Sequence, residues 1–145
     1  MRKLMLAALS AAVMIVSAPA MAQDSSVKTG PFWQAARIYV EDGQFENYMD
    51  YLTKTWANQQ EYAKSQGWLL EYNILSSVNP RDGEPNVILL TRFNDFPSAA
   101  EVERRSDLMN QHMKLTDRSA AAASGDRIKM RKLMGSALYR EMLKR

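Results

Sequence analysis

Two apolar segments, residues 67–75 and 86–93, lie in the centre of the chain on either side of the polar residues 79–85. Their lengths, and the Asn, Pro, Asp and Gly residues between them, predict a β-hairpin. Apolar side chains occupy both odd and even positions of the second strand: Val87 and Leu89 alternate with Ile88 and Leu90. Because successive strand side chains point to opposite faces, both faces of the predicted sheet need cover.

The sequence before the hairpin predicts one strand and one helix. Residues 32–41 are rich in aromatic and β-branched side chains, which favour a strand. A helical period follows from Gly43 to Gln66, with Asp42 as the expected N-cap and Gly67 as a left-handed stop. One stripe of this helix is apolar, and it consists of Phe45, Tyr48, Met49, Leu52, Trp56 and Ala63.

The sequence after the hairpin predicts a second helix and a last strand. Ser98-Ala99-Ala100-Glu101 matches a capping box, and the apolar stripe beyond it comprises Ala99, Val102, Met109 and Met113. Helical character continues from residue 119 to residue 134, with Gly125 as a weak point and Gly135 as the end. Residues 136–143 are predicted to form an edge strand, and a C-terminal helix is the alternative.

The order of these elements predicts an α+β protein with a ferredoxin-like βαββαβ arrangement. Right-handed crossovers would place both helices on one face of a four-stranded antiparallel sheet. The other face would then be bare over about 400 Å², as large as the apolar patches that monomers tolerate. We therefore expect a homodimer in which a second copy covers this face.

The first 22 residues have the pattern of a signal peptide. Arg2 and Lys3 precede an apolar run from Leu4 to Val16, and Ala20-Met21-Ala22 is a typical cleavage site. The run is shorter than the ~20 residues that span a bilayer. Cleavage after Ala22 predicts an exported, periplasmic protein with a flexible leader at residues 23–31, a single domain at residues 32–145 and no transmembrane segment.

The chain from about Phe32 to Leu143 resembles the dimeric α+β barrel superfamily. The resemblance rests on the element order, the two-faced hairpin and the ending Gly135-Ser136-Ala137-Leu138-Tyr139-Arg140-Glu141. It implies that two sheets pack face to face around an enclosed space. Small exported bacterial members without an assigned activity are the most similar kind. The superfamily also contains monooxygenases without cofactors and haem-degrading enzymes, which leaves a monooxygenase-like or haem-binding enzyme as an alternative.

Charge is distributed unevenly along the chain. The net charge of +3 falls to +1 without the signal peptide, which does not favour specific binding of nucleic acid. Residues 127–145 nevertheless contain seven Lys and Arg residues against the single acidic residue Glu141. This basic segment favours attraction between opposite ends of two subunits, and attachment to an anionic surface is the alternative.

Residues with obvious catalytic chemistry are scarce. The chain has no Cys, no glycine-rich phosphate loop and a single His, so the sequence predicts no metal site and no cofactor. His112 lies at the edge of the apolar stripe of the second helix, where a partly exposed structural role is expected. As the alternative, the resemblance implies a haem ligand or general base at His112, with Tyr39 and Arg92 as further catalytic candidates.

A charged and polar cluster is predicted on one face of the sheet, and its members are Arg37, Tyr39, Glu71, Asn73 and Arg92. Charges buried at an interface must be paired, so one interpretation is a dimer-interface network in which Glu71 neutralises an arginine. The other is a ligand site in which Arg37 and Arg92 hold a small acidic or aromatic ligand, with Trp33 or Trp68 as a wall. We expect a small-ligand-binding or structural module from either interpretation.

Overall fold

The sheet has the strand order of a ferredoxin-like fold. The computed structural model describes residues 25–145, so the predicted signal peptide at residues 1–22 lies outside the described residues. The strands are β1 (Val27–Val40), β2 (Glu71–Ser76), β3 (Val87–Phe93) and β4 (Arg131–Lys144). Their order across the sheet is β2-β3-β1-β4, and all neighbours are antiparallel. The predicted α+β class, ferredoxin-like arrangement and hairpin are confirmed.

Helical segments fill the connection from β1 to β2 and the connection from β3 to β4. Before the hairpin, α1 (Phe45–Tyr51), a π turn (Leu52–Trp56) and α2 (Ala57–Ser65) form one continuous helical run. After the hairpin come α3 (Ala99–Met113), α4 (Asp117–Asp126) and a short 3-10 turn (Arg127–Lys129). None of the helices between residues 25 and 145 has the length and apolarity that a bilayer span requires.

The core lies between α1 with its π turn and one face of the central strands. Tyr48 and Leu52 are 1% and 0% exposed, and they pack on Ile38, Val40, Val87 and Leu89. These strand residues sit at even positions of β1 and odd positions of β3, which the pairing of Ile38 with Val87 places on the same face. This helix-covered face therefore holds the main core, and the opposite face is termed the open face below.

The first strand is longer than predicted. It begins at Val27 and so takes in residues 27–31 of the expected leader. These residues pair with the end of β4, where Val27 lies opposite Lys144 and Thr29 opposite Met142. Backbone pairing over this length explains why a segment without apolar periodicity is ordered as a strand.

The start of the first helix also differs from the prediction, because Asp42 is not its N-cap. Gly43 adopts φ +76°, and the Gln44 N–H donates a hydrogen bond to the Glu41 carbonyl at 3.0 Å. This tight turn delays the helix to Phe45 and makes Gln44 the N-cap, without a capping side-chain bond. The predicted stop at Gly67 is confirmed by its φ of +71°.

The prediction of a helix through residue 134 is wrong for the last four residues of that range. Residues 131–134 belong to β4, which pairs Arg131 with Val40 and Leu133 with Ile38. Gly135 ends no helix: it has φ +86° and lies where the register of β4 against β1 shifts. Pairing with β1 outweighs local helical propensity here. The predicted edge strand at residues 136–143 is confirmed.

The second helix begins as predicted, but only the C-terminal part of its predicted apolar stripe is partly buried. The Ser98 side chain accepts a hydrogen bond from the Glu101 N–H, as an N-cap should. Met109 and Met113 are partly buried, whereas Ala99 is exposed and Val102 is 51% exposed. The helix then breaks at Lys114, where φ is +54°, and a new cap at Thr116 starts α4.

Candidate functional site

Polar and apolar side chains are combined on the open face of the sheet. The register places Trp33, Leu90 and Arg92 there, together with Glu71 and Asn73 of β2 and Tyr139 and Glu141 of β4. In the described part of the chain, the helical core residues pack on the other face. Leu75, Tyr139 and Leu143 of the open face are 46%, 59% and 38% exposed. The open face is therefore an apolar surface with a charged centre.

The charged centre is a triad of Arg92, Glu141 and Trp33. Arg92 donates from Nε to Glu141 Oε1 at 2.9 Å and from Nη2 to Oε2 at 2.8 Å. The Trp33 indole N–H donates to the same Oε1 at 2.6 Å, and the guanidinium carbon lies 5.6 Å from the indole centroid. Since β1 lies between β3 and β4, the ion pair passes directly over Trp33. A two-bond Arg–carboxylate pair fixes both position and orientation.

The pairing changes the acidity of both charged groups. The hydrogen bonds from Arg92 and then from Trp33 hold the pKa of the Glu141 carboxyl below its ordinary value. The Glu141 hydrogen bond raises the pKa of Arg92, to which the charge of Glu71 also contributes. The side chains are only 28% and 22% exposed in the single chain. Both groups are therefore ionised and mutually neutralised at neutral pH.

Glu71 and Asn73 extend this network along β2. Glu71 lies opposite Arg92 in the β2–β3 register, and the Asn73 side-chain amide donates to Glu71 Oε1 at 3.1 Å. Glu71 was predicted to neutralise an arginine of this face. The structure instead pairs Arg92 directly with Glu141. Glu71 acts on Arg92 through its charge alone.

Gly30 makes room for the triad. A Cβ atom at this position would lie 2.9 Å from the Glu141 Cβ and 3.1 Å from side-chain atoms of Leu143. The 2.9 Å contact is shorter than real Cβ atoms make, so a side chain at this position would force β1 and β4 to shift apart. The side chain of Arg140 reinforces the approach by donating from Nε to the Gly30 carbonyl at 3.2 Å.

The remaining strand candidates lie away from the triad. Arg37 pairs with Ile88, four residues along β1 from Trp33, which corresponds to about 13 Å. Its charge acts on Glu84 in the hairpin turn, whose pKa is lowered chiefly by hydrogen bonds from Arg81. Tyr39 lines a separate cavity near the same turn. The structure therefore does not bring Arg37 and Arg92 together around one ligand group.

Trp68 and His112 lie between the helices rather than on the open face. Trp68 packs edge-on against Tyr62, with the Arg105 guanidinium 5.3 Å from its ring centroid. The His112 ring stacks flat on Tyr62, with a centroid distance of 4.1 Å and an interplanar angle of 9°. His112 Nε2 is 3.4 Å from Asn58 Oδ1, and the side chain is exposed. Its surroundings fit a helix-to-helix contact.

A depression of about 320 Å³ adjoins the triad on the open face. Trp33, Leu90 and Tyr139 supply its apolar walls, and Glu141 lies at its edge. Aromatic walls beside a fixed polar group are typical of small-molecule sites. Within residues 25–145, no three His, Asp or Glu side chains are grouped as a metal site would require.

Sequence reasoning missed Glu141 and gave Trp33 only a secondary place. Alternation along β4 from Ala137 to Leu143 places Glu141 on the open face, but the register between β1 and β4 decides that Glu141 lies near Trp33. That register shifts twice along the pair, and no local signal predicts the shifts. Gly30 was the one available indication, because an isolated strand glycine often marks a close approach.

Comparisons with known proteins found similarity in structure only. No protein-family model matches the sequence, and no curated protein matches it. A proposed monooxygenase from Shewanella loihica is 18% identical, with a TM-score of 0.44 over 79% of this chain and 96% of that one. An ethyl tert-butyl ether (ethd) family protein from Bacillus halodurans is 15% identical, with a TM-score of 0.42 over 77% and 99% of the two chains.

A third solved structure is a dimeric ferredoxin-like protein from an uncultured marine organism. It is 12% identical, with a TM-score of 0.43 over 78% of this chain and 94% of that one. The fold itself is established by the strand order of this chain, and at such low identity the comparisons assign no chemistry to its residues.

Proposed function

We propose that the protein is an exported homodimeric α+β barrel that acts as a small-ligand-binding module. Two open faces pack against each other, and the depressions beside the two triads become enclosed between them. The observation that supports this proposal is the open face itself, in which exposed Leu75, Tyr139 and Leu143 surround a charged pair that is already neutralised.

The chemistry of the triad suits an interface better than an anion site. Arg92 already donates from Nε and Nη2 to the two carboxylate oxygens of Glu141, so this two-bond edge of its guanidinium group is occupied and does not hold a ligand carboxylate. A charge that enters an interface already paired avoids most of the cost of desolvation. The ligand expected in the depression is therefore apolar or aromatic, held between Trp33, Leu90 and Tyr139.

The size of the open face agrees with a stable dimer. Strands β1 and β4 each have 14 residues and reach about 46 Å, so the sheet offers roughly 600 Å² in projection. A standard interface buries about 800 Å² of accessible surface on each partner, and a rough sheet surface exceeds its projection.

The oligomeric state tests the proposal directly. Light scattering on the purified protein at micromolar concentration should give the mass of two subunits. Tyr139→Lys should give single subunits, because it places a charge in the apolar part of the interface. Leu138→Lys is the matched control: it changes the neighbouring residue, 51% exposed on the opposite face of β4, and should leave the dimer intact. Single subunits of the unaltered protein would refute the dimer.

Export belongs to the same proposal and rests on the sequence of residues 1–22. In a bacterial host, the mature protein should appear in the periplasmic fraction with Gln23 as its first residue, which mass spectrometry of the intact chain can determine. A chain that keeps residues 1–22 and stays in the cytoplasm would contradict export without bearing on the dimer.

A further inference from the structure

A cavity lies on the helix-covered side of the sheet, away from the open face. It has a volume of about 780 Å³ and is bounded by α4, the 3-10 turn and the first residues of β4. Its walls are mostly apolar and include Ala121, Ile128 and Leu133, of which the last two are 74% and 62% exposed. Large apolar side chains exposed around a cavity of this size are typical of a site for a small molecule.

Two arginines at this cavity carry buried donors that have no acceptor. Arg131 lines the cavity, and Arg127 lies in the adjacent 3-10 turn. The Nε atoms of both are buried and lack a hydrogen-bond partner within residues 25–145, where neither side chain forms an ion pair. Buried donors without acceptors are rare in folded proteins, and each indicates a missing partner.

Both guanidinium groups are held on aromatic rings of α1. Arg127 lies 4.3 Å from the ring centroid of Tyr51, and Arg131 lies 5.8 Å from that of Tyr48. The two rings stack on each other with centroids 5.8 Å apart. Ring faces attract cations but accept no conventional hydrogen bond, so they position the guanidinium groups without satisfying their N–H donors.

The charges of both arginines act on the buried hydroxyl of Tyr48. Burial raises the pKa of the Tyr48 hydroxyl, and the charges of Arg131 and Arg127 act in the opposite direction. Of the carboxylates, only Glu41 lines the cavity, against the cations Arg131 and Lys132. The cavity thus combines apolar walls with an excess of positive charge.

We propose that this cavity binds an amphipathic carboxylate, with the carboxylate on Arg131 and the apolar chain along Ile128 and Leu133. A carboxylate accepts hydrogen bonds from a guanidinium group in a planar two-bond geometry, and Arg131, which lines the cavity, has no ion-pair partner among the described residues. A single negative charge suits the site because Glu41 would repel a more highly charged head group. The site lies on the opposite side of the sheet from the proposed dimer interface and does not depend on it.

Calorimetric titration of the purified protein with octanoate and with 1-octanol tests the proposal. The two probes have the same chain length and differ in charge. Octanoate should bind at least about tenfold more tightly than octanol, since its carboxylate gains charge-assisted hydrogen bonds. Arg131→Gln should weaken the binding of octanoate by about tenfold or more and leave the affinity for octanol unchanged. Arg118→Gln is the control: it removes a charge from the exposed part of α4 and should change neither the affinity for octanoate nor that for octanol.

Equal affinity for octanol and octanoate would overturn the proposal, as would octanoate binding that Arg131→Gln does not alter, or no octanoate binding at millimolar concentration. Circular dichroism would show whether Arg131→Gln folds. If Arg131→Gln does not fold, the affinities of octanoate and octanol for the unaltered protein and for Arg127→Gln test the proposed site instead. Tyr139→Lys should still bind octanoate, so failure of the dimer and failure of this site are distinguishable.

Discussion

Arg92 on β3 reaches across β1 to Glu141 on β4, with hydrogen bonds of 2.9 and 2.8 Å. The contact joins strands that are not neighbours in the sheet and lies over the indole of Trp33. It connects the central hairpin to the C-terminal edge strand through side chains rather than backbone. Because the pair lies at the centre of the open face, its integrity should govern how that face associates.

Glu141→Gln should weaken the dimer more than it weakens the fold. The amide keeps the size of the side chain but leaves the charge of Arg92 unpaired at the proposed interface. We expect the dimer dissociation constant to rise by about tenfold or more, which sedimentation equilibrium would measure. Glu84→Gln is the matched control, because Glu84 forms a comparable pair with Arg81 in the hairpin turn, at 2.7 Å. Equal dissociation constants for both variants would place the Arg92 pair outside the interface.

Gly30→Ala should destabilise the fold by forcing β1 and β4 apart. The added methyl group would lie 2.9 Å from the Glu141 Cβ, and overpacking of this kind costs about 1–3 kcal/mol. Chemical denaturation measures the free energy of unfolding.

Gly125→Ala provides the comparison for that substitution. A Cβ at Gly125 meets nothing within 4 Å, and the residue lies inside α4. Alanine there should be neutral or should raise the free energy of unfolding by up to about 1 kcal/mol. A loss of stability at Gly125 as large as that at Gly30 would show that the close approach of Gly30 to Glu141 is not the cause.

The fold could be predicted from the sequence because its decisive signals are local. The hairpin around residues 79–85, the stop at Gly67 and the cap at Ser98 each depend on a few neighbouring residues. Their order along the chain then leaves few topologies to consider. Asp42 was misassigned because the Asp-Gly sequence forms a turn of its own before the helix begins.

The centre of the open face could not be predicted to the same extent. Alternation assigned Arg92, Glu71 and Asn73 to one face, but the choice between Glu71 and Glu141 as partner of Arg92 depends on the β1–β4 register. The strand character of residues 131–134 was hidden for a similar reason, since their basic and aliphatic side chains suit a helix until β1 offers a pairing edge. The position of Arg131, whose Nε lacks a hydrogen-bond acceptor, depends on that same pairing of β4 with β1.

His112→Ala tests the haem alternative. The His112 ring is covered on one side by Tyr62 at 4.1 Å, and its Nε2 faces Asn58. These contacts fit a structural role for His112, so haem added to the purified protein should keep the absorption spectrum of free haem. A shifted Soret band that His112→Ala abolishes would contradict this expectation and would support a haem site on α3.

Acid should weaken the folded state partly through Glu101 at the start of α3. Hydrogen bonds from Arg104 and Arg105 lower the pKa of Glu101 to about 2 from its ordinary 4.5. A lowered carboxyl pKa contributes stability that is complete above the unfolded-state pKa and disappears as the pH falls through the folded-state value. The contribution of Glu101 should therefore be present at neutral pH and decline between about pH 4.5 and pH 2.

Glu101→Gln should thus unfold more readily than the unaltered protein at about pH 6 and lose less stability on acidification to about pH 2.5. Urea denaturation followed by circular dichroism at one fixed protein concentration measures both differences, because a dimer's apparent stability varies with concentration. Glu103→Gln, on the same helix, changes an exposed carboxylate without an ion pair among the described residues and should behave as the unaltered protein does. If Glu101→Gln and Glu103→Gln show the same acid dependence, the arginine pair at the helix start contributes nothing to it.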